Sequence, residues 1–526
     1  MRPANCMPFS VLIVLLILIA PLNLAFGAEP TNNTSRIKAV TAQAAPDISS
    51  DRVKNSVVKI FSKVRFPDRF QPWIKQSPYE VSGSGVIIDG NHILTNAHVV
   101  LYATQVQVQA NQSGEKITAT VEAIAPGIDL ALLTLEDKSF FQTHHPLERT
   151  DILPEIKDAV MTYGFPIGGS SLSITKGIVS RIEFTEYNYG TTGLRIQIDA
   201  AVNPGNSGGP AVVDGKMIGL VFSRLTGAQN IGYIIPCEEI ELFLNDIADG
   251  KYDGKPAIDA ELQILENPAL RDYLKLDKST TGIVVHPRGV NDPSYPLKKW
   301  DVITKCGDKP VDNEGMVLVN TNLRLSVNYW VQKIAKNGEI GLTIIRGGKN
   351  MTITLPVKPD PPRLIPHLQG EYPAYFIYGP FVFSRAIKRF VADLMSDQCG
   401  TLFWMSDAGN PLITRLGDQP AFEGEELVVV ASSFFPHKMV NGYSSPFTDV
   451  LKSVNGISIK NLKHLVEVLR AAQSKFISFE FYGKLTEPKI FVREEILSAT
   501  EEILANNDIR SQGSAELMNI WNAGKH

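Results

Sequence analysis

The stretch Ala201-Val-Asn-Pro-Gly-Asn-Ser-Gly-Gly-Pro210 sets three glycines and two prolines around one serine, between two apolar runs. Glycine reaches backbone conformations that other residues avoid, and proline locks its own, so the cluster reads first as a tight turn between strands. The same turn would also suit a nucleophile, because it lifts one hydroxyl clear of bulky neighbours. Serine acts as one only when a base takes its proton, a third group holds that base, and N–H donors receive the oxyanion. Those partners have to come from elsewhere in the chain.

A candidate base is His98 in Leu94-Thr-Asn-Ala-His-Val99, just after an apolar strand that follows Gly83-Ser-Gly85. A candidate orienter is Asp129, the one acid at the head of the apolar run Asp129-Leu-Ala-Leu-Leu133. A carboxylate at the mouth of a buried strand needs a partner. Each residue alone has a plainer reading, as turn, core histidine or strand terminator. Gly205-Asn-Ser-Gly-Gly209 also fits the Gly-x-Ser-x-Gly elbow of α/β-hydrolases, and chain order separates the two folds. The order His98, Asp129, Ser207 is that of chymotrypsin, whereas the hydrolase elbow places serine first.

The pattern around these residues agrees. Short β-branched runs recur from Val57 to Phe61, Gly85 to Ile88, His92 to Thr95, Ile117 to Ala123, Leu130 to Leu135, Val160 to Tyr163, Leu194 to Ile198, Ala211 to Val213 and Met217 to Phe222. Gly, Pro, Asn and Asp clusters divide them, which predicts an all-β barrel or sandwich, and a helical stretch from Cys237 to Ile247 closes it. Further on, Asp301-Val-Ile-Thr-Lys-Cys-Gly-Asp-Lys-Pro-Val-Asp-Asn313 overlays Asp449-Val-Leu-Lys-Ser-Val-Asn-Gly-Ile-Ser-Ile-Lys-Asn461 without a gap. Each reads as strand, polar turn, strand, which suggests duplicated modules. Pro356-Val-Lys-Pro-Asp-Pro-Pro362 between them reads as a stiff linker.

In Gly83-Ser-Gly-Val-Ile-Ile88, Leu94-Thr-Asn-Ala-His98, Asp129-Leu-Ala-Leu-Leu133, Gly164-Phe-Pro-Ile-Gly168, Lys176-Gly-Ile-Val-Ser180 and Gln197 to Pro210, residues 53–250 resemble the protease domain of the HtrA/Deg family. The repeated segments resemble parts of PDZ domains. Tyr375-Phe-Ile-Tyr-Gly-Pro-Phe-Val-Phe383 and the ending Glu494 to Glu516 are most similar to the plant-type branch with an atypical second PDZ. The resemblance implies a mainly β fold, a chymotrypsin-like double β-barrel followed by two PDZ-like α+β domains. It implies His98 as general base, Asp129 as its orienter and Ser207 as nucleophile, with oxyanion-hole amides from Gly205, Asn206 and Ser207. It further implies action on unfolded or misfolded proteins in protein quality control, no cofactor, and homo-oligomers, trimers or hexamers. Loop-latent chaperone or PDZ scaffold function is the alternative, with the segments 183–193 and 223–230 as the switching loops.

In the chymotrypsin fold the residue six before the serine lies at the base of the S1 pocket. Here it is Ala201, and Leu220, Val221 and Phe222 are expected to form the opposing wall. With no acid there, a basic side chain would be buried unpaired, so small-to-medium aliphatic P1 residues are expected. In the first PDZ, Ile258-Asp259-Ala260 aligns with the carboxylate-binding loop, where Asp259 would repel a C-terminal carboxylate.

The domain organisation expected is a signal peptide at 1–27, a flexible linker at 28–52, the protease domain at 53–250, the first PDZ at 256–357, a Pro-rich linker at 358–368, the second PDZ at 369–500 and a tail at 501–526. The signal reading rests on Arg2, the apolar run from Val11 to Ile19 and Ala25-Phe-Gly-Ala28, with cleavage after Gly27. An uncleaved membrane anchor is the alternative, and only then is a membrane a partner. Either way export is expected, most simply to a periplasm. Net charge is −4, becoming −5 on loss of Arg2, the one charge in residues 1–27, and no basic cluster points to nucleic acid. Outside the signal, Cys237, Cys306 and Cys399 form no disulfide framework and no Cys-x-x-Cys pair, and the scattered histidines contain no His-Glu-x-x-His, so no metal site is expected.

Overall fold

A computed structural model describes residues 48–68, 70–224, 231–288, 294–359, 363–397, 401–484 and 486–523. The expected signal peptide, Cys399 and residues 225–230 of the second expected switching loop lie outside these residues. No helix among the described residues is long and apolar enough to cross a membrane.

Twelve strands build two closed six-stranded barrels. The first comprises β1 (Val57–Val64), β2 (Tyr79–Ile88), β3 (His92–Thr95), β4 (Ala103–Ala110), β5 (Ile117–Ala125) and β6 (Leu130–Leu135). The second comprises β7 (Ala159–Gly164), β8 (Ser173–Glu186), β9 (Thr192–Ile198), β10 (Pro210–Val213), β11 (Lys216–Arg224) and β12 (Gly232–Pro236). Alternation along the strands sorts the side chains: Val58 and Ile60 of β1 fill the first barrel with Ile87, Ile93 and Leu133. Ile196, Ile198, Val221 and Ile234 fill the second. A third core, including Val57, Val86, Leu94, Leu130, Tyr163, Val212, Leu220 and Ile235, joins the two barrels. The helix Cys237–Asp246 closes that joint with Ile240 and Phe243, both fully buried.

Because barrels have no free edges, chemistry is left to the loops at the joint between them. The Ser207 turn leads into β10, His98 lies on the short helix Ala97–Val100 after β3, and Asp129 precedes β6.

The repeated segments fold alike. Cys306 pairs with Lys309 and Lys305 with Pro310, just as Val454 pairs with Ile457 and Ser453 with Ser458. Each hairpin turns through residues of positive φ: Gly307 in the first, Asn455 and Gly456 in the second. The sheet of the first module runs from Ala260–Ile264 through Ile283–Pro287 and Val302–Cys306 to Glu339–Arg346 and Lys349–Pro356. The second module has an aromatic core of Phe376, Tyr378, Phe381, Phe383, Phe479 and Phe491.

Three features differ from the expectation. Helix Ile48–Ser56 begins inside the segment read as a linker, and its Val53 is buried in the joint between barrels. Part of the segment read as a tail forms the helix Ala515–Asn522, whose Trp521 packs edge-on against Phe376 and Tyr378. Within the Pro-rich segment, Lys358–Pro359 pairs with Pro256–Ala257, a two-residue ladder that leaves proline at an edge.

Cys237 and Cys306 are both free, buried thiols, and burial pushes each up to about 12.

Candidate active site

Asp129 is buried and sits at φ 58°, a left-handed conformation that costs free energy in a non-glycine residue. That backbone turns both ends of the residue onto the short helix Ala97–Val100. Its carbonyl accepts from the Ala97 N–H at 3.1 Å and from Asn96 Nδ2 at 2.9 Å. Its carboxylate accepts from the His98 N–H at 2.9 Å and meets His98 Nδ1 at 2.7 Å. Asp129 thus satisfies N–H groups that the start of a helix leaves open, a task Asn96 does not perform with its own side chain. Holding the imidazole by Nδ1 leaves Nε2 for proton transfer. The His98 side chain is 46% exposed while that of Asp129 is 4% exposed, so the pair is closed on one side and open on the other. Burial disfavours the imidazolium, but the Asp129 charge and hydrogen bond outweigh it, and His98 titrates above the ordinary histidine value.

The serine turn is built from the second barrel and held by the first. Gly205 lies at φ 99° and Gly208 at φ 88°, and a Cβ on Gly208 would come within 2.0 Å of the Ser84 carbonyl. Ser84, on β2, donates from its N–H to the Ser207 carbonyl at 2.8 Å and from Oγ to the Gly205 carbonyl at 2.7 Å. The same Oγ accepts from the Phe165 N–H at 2.8 Å. One buried serine therefore spans both barrels at the turn. A Cβ on Gly83 would lie 2.7 Å from Val99 and 3.3 Å from the Ser207 carbonyl, so the His98 helix and the serine turn are neighbours across that glycine.

The Ser207 hydroxyl donates to the Phe222 carbonyl at 3.4 Å, and among the described residues it makes no hydrogen bond to His98. Free enzymes often leave this bond long or unaligned until substrate arrives. Among the amides expected to receive an oxyanion, the Asn206 N–H is spent on the Asn203 carbonyl at 3.0 Å. Those of Gly205 and Ser207 have no acceptor among the described residues. Two unspent N–H groups, rather than three, are what the turn offers to developing negative charge.

The residues expected around S1 separate. Ala201 is exposed, with its carbonyl held by Thr175 Oγ1 at 3.0 Å. Leu220 is fully buried between the barrels, while Val221 points into the second barrel, as alternation along one strand requires. Phe222 lies on the Leu220 side, its ring stacked on Tyr187 at 5.1 Å. Three consecutive strand residues cannot wall one pocket with their side chains, and of the three it is Phe222 whose backbone carbonyl meets the Ser207 hydroxyl.

In the first module the loop at Ile258, Asp259 and Ala260 has little left for a carboxylate. The Asp259 N–H donates to Tyr295 Oη at 3.2 Å and the Ala260 N–H to the Ile258 carbonyl at 2.8 Å. Asp259 Oδ1 is buried without a hydrogen-bond partner among the described residues.

Ser84 is the functional residue that sequence reasoning passes over. Its signal was the pair of flanking glycines, Gly83 and Gly85, which permit close approach on both sides of it.

Residues 83–220 match a trypsin-like peptidase domain and residues 365–516 a PDZ domain. The first match contains His98, Asp129 and Ser207. Protease Do-like 4, mitochondrial, of Arabidopsis thaliana is 35% identical over 434 residues, covering 81% of this chain and 79% of its own. Protease Do-like 2, chloroplastic, of the same plant is 36% identical over 473 residues, covering 88% and 75%. The solved structure of the HtrA-type protease AlgW with a tripeptide is similar at 26% identity and a TM-score of 0.46, over 60% of this chain and 97% of that one. With relatives of this identity matched over three quarters of their lengths or more, this chain belongs to the HtrA/Deg family of Do-like serine proteases.

Proposed function

We propose that the chain cleaves unfolded or misfolded proteins by an acyl-enzyme mechanism in which Ser207 is the nucleophile, His98 the general base and Asp129 its orienter. The observation that carries this reading is the Asp129 carboxylate, buried and bonded to both the backbone and the ring of His98, beside a serine turn held across the barrel joint. Ser207 Oγ attacks the scissile carbonyl as His98 Nε2 takes its proton. The tetrahedral oxyanion is received by the Gly205 and Ser207 N–H groups. His98 then gives the proton to the leaving amine, the C–N bond breaks, and an ester to Ser207 remains. His98 then takes a proton from water as its oxygen attacks the ester carbonyl, and gives that proton to Ser207 Oγ as the C–Oγ bond breaks and the carboxylic acid product leaves.

The uncharged Ala201 supports small-to-medium aliphatic P1 residues, since its own side chain offers no charge to pair a buried cation. The filled amides and free carboxylate oxygen at Asp259 support recognition of internal segments by the first PDZ in preference to C-termini. Protein quality control and assembly into trimers or hexamers follow from the family resemblance. The order of charge, apolar run and small residues in 1–27 supports export, and a periplasm is the compartment inferred. The relatives named above are mitochondrial and chloroplastic proteins of a plant, so their names lend the periplasm no support.

The test is digestion of reduced casein by the wild type and by Ser207→Ala, with a fluorophosphonate label run on both. Cleavage and labelling by the wild type alone are expected. A wild type that neither cleaves nor labels, or a mutant that cleaves as well as the wild type, overturns the assignment.

A further inference from the structure

A cavity of about 270 Å³ lies away from Ser207, where the second PDZ module meets both barrels. Its walls are mostly apolar, from Phe66, Leu101 and Tyr102 of the first barrel and Ile387, Phe390 and Val429 of the module. That volume holds about nine water-sized groups, the bulk of a medium-length alkyl chain or of one or two apolar side chains.

One end of the cavity is polar, and its charges do not cancel. Asp68 is occupied by the N–H groups of Phe70 and Gln71 at 3.0 and 2.9 Å. Arg389 pairs with Asp393 at 3.2 Å and Arg385 with Glu426 at 3.4 Å. Lys388 lines the same cavity, and its ammonium has no ion-pair or hydrogen-bond partner among the described residues. His367 lies beside it, its ring 4.2 Å from that of Tyr189. His367 Nε2 is buried and bonded to nothing among the described residues. Burial and the nearby Lys388 charge push His367 down to about 4, so at neutral pH the ring is uncharged. In its Nε2–H tautomer it presents a buried donor without an acceptor, which is costly unless something fills the place. A second, more polar cavity shares Tyr189, His367, Gln369 and Lys388, so this end is open to entry.

An unpaired ammonium and, in the Nε2–H tautomer of His367, an unpaired buried donor at one end of an apolar chamber are complementary to one kind of ligand. We propose that this junction binds a carboxylate carried on a short apolar group. The carboxylate lies against Lys388 Nζ and His367 Nε2, and the apolar part lies among Phe66, Leu101 and Phe390. A hydroxyl ligand would leave Lys388 unpaired, and a cation would meet it as a like charge. The walls come from both the protease barrels and the PDZ module, so occupancy stabilises their junction by mass action. A free medium-chain fatty acid and the apolar C-terminus of a peptide share this chemistry.

The test is calorimetric titration of the full chain with sodium octanoate and with neutral octanamide. It is repeated with acetyl-Ala-Val as its free acid and as its amide. The acid of at least one pair is expected to bind ten-fold or more tightly than its neutral partner and to raise the melting temperature. Lys388→Ala, a surface change that removes no core contact, should weaken acid binding at least five-fold, and His367→Phe should do so as well. A tighter octanoate identifies the fatty acid as the source, and a tighter peptide acid the C-terminus. Equal binding of acid and neutral ligands, no binding of either acid, or full-strength acid binding by Lys388→Ala overturns the proposal.

Discussion

Asp129 is bonded twice to His98, to its backbone N–H at 2.9 Å and to its ring Nδ1 at 2.7 Å. Through the first bond the carboxylate caps the helix that carries the base, and through the second it sets the ring. The role of this acid in positioning is therefore inseparable from the local fold, which is why a strained φ at a buried charged residue is tolerated here.

Asp129→Asn should separate the two bonds. The amide oxygen can still accept from the His98 N–H, so the helix survives, but the charge that holds the ring and favours imidazolium is gone. Turnover of a casein-derived fluorogenic peptide is expected to fall by about 10³- to 10⁴-fold with KM little changed. The pH profile is the sharper readout. The base works when neutral, and His98 titrates above the ordinary value of about 6.5, so the wild-type acid limb of kcat/KM should lie above that pH. In Asp129→Asn burial alone remains, and the residual activity should keep its plateau to lower pH. The stability sign is opposite to the activity sign. A raised folded-state value makes the pair stabilising below the unfolded value, and that contribution is lost as pH rises through the folded one. An unchanged acid limb in the variant would show that Asp129 does not set the titration of the base.

Ser84→Ala tests whether the first barrel positions the nucleophile. The change removes the bond to the Gly205 carbonyl and leaves the buried Phe165 N–H without its acceptor. Loss of both predicts a destabilisation of about 2–3 kcal/mol in chemical denaturation. It also predicts a fall in kcat of roughly tenfold or more, larger than the change in KM, because the amides that receive the oxyanion shift. Unchanged kcat alongside the stability loss would reduce Ser84 to a structural residue.

The chain order of His98, Asp129 and Ser207 and the short β-branched runs made the double barrel legible, because each run carries apolar, often β-branched residues whose burial on a barrel strand needs no distant information. β4 was harder to see. In Ala103-Thr-Gln-Val-Gln-Val-Gln-Ala110 only alternate small or β-branched residues face the core, between exposed or half-buried polar ones. Ser84 was hidden for a different reason: its worth depends on carbonyls and amides at Gly205, Ser207 and Phe165, and backbone groups carry no sequence signature. The S1 wall was misjudged because position along a strand was read without its alternation, which sends Val221 away from Leu220 and Phe222. Nor could the segment before β2 announce its partners, since the aromatic residues that receive Phe70 and Trp73 lie far along the chain.

Gly208→Ala and Gly168→Ala form a matched pair. Both glycines have φ near +85°, at 88° and 85°, but only Gly208 faces an obstacle, the Ser84 carbonyl 2.0 Å from the added Cβ, while Gly168 faces open space. The backbone term alone is about 1–2 kcal/mol. Gly168→Ala should lose about that much stability and keep its activity. Gly208→Ala should lose more stability and nearly all turnover, because either the serine turn or β2 must move. Equal losses in the two variants would mean that the contact across the barrels relaxes without consequence.

Phe70 decides how the second PDZ module is held. The segment between β1 and β2 leaves the first barrel and places Phe70 edge-on to Phe390 at 5.9 Å and Phe447 at 5.5 Å, with Trp73 beside Tyr375 and Phe435. Tyr372 returns the contact, its hydroxyl donating to the Arg65 carbonyl at 2.6 Å. Edge-to-face pairs couple by about 0.5–1.5 kcal/mol beyond the area they bury, so a double-mutant cycle of Phe70→Ala and Phe447→Ala should give a coupling in that range. The variants should also speed cleavage of the connection between the two PDZ modules by a second protease, since a module held less firmly opens more often. Activity gives the discriminating reading. Leu101 and Tyr102, which follow the His98 helix, line the same junction, and Tyr372 packs edge-on to Tyr102 at 5.5 Å. If the module only rides on the barrels, Phe70→Ala will speed nicking and leave kcat/KM on a short peptide within twofold. If the docked module shapes the approach to His98, the same variant will change kcat/KM on the peptide in step with nicking, and Tyr372→Phe, which deletes one hydrogen bond and keeps the edge-on ring contact, will move both in the same direction by less.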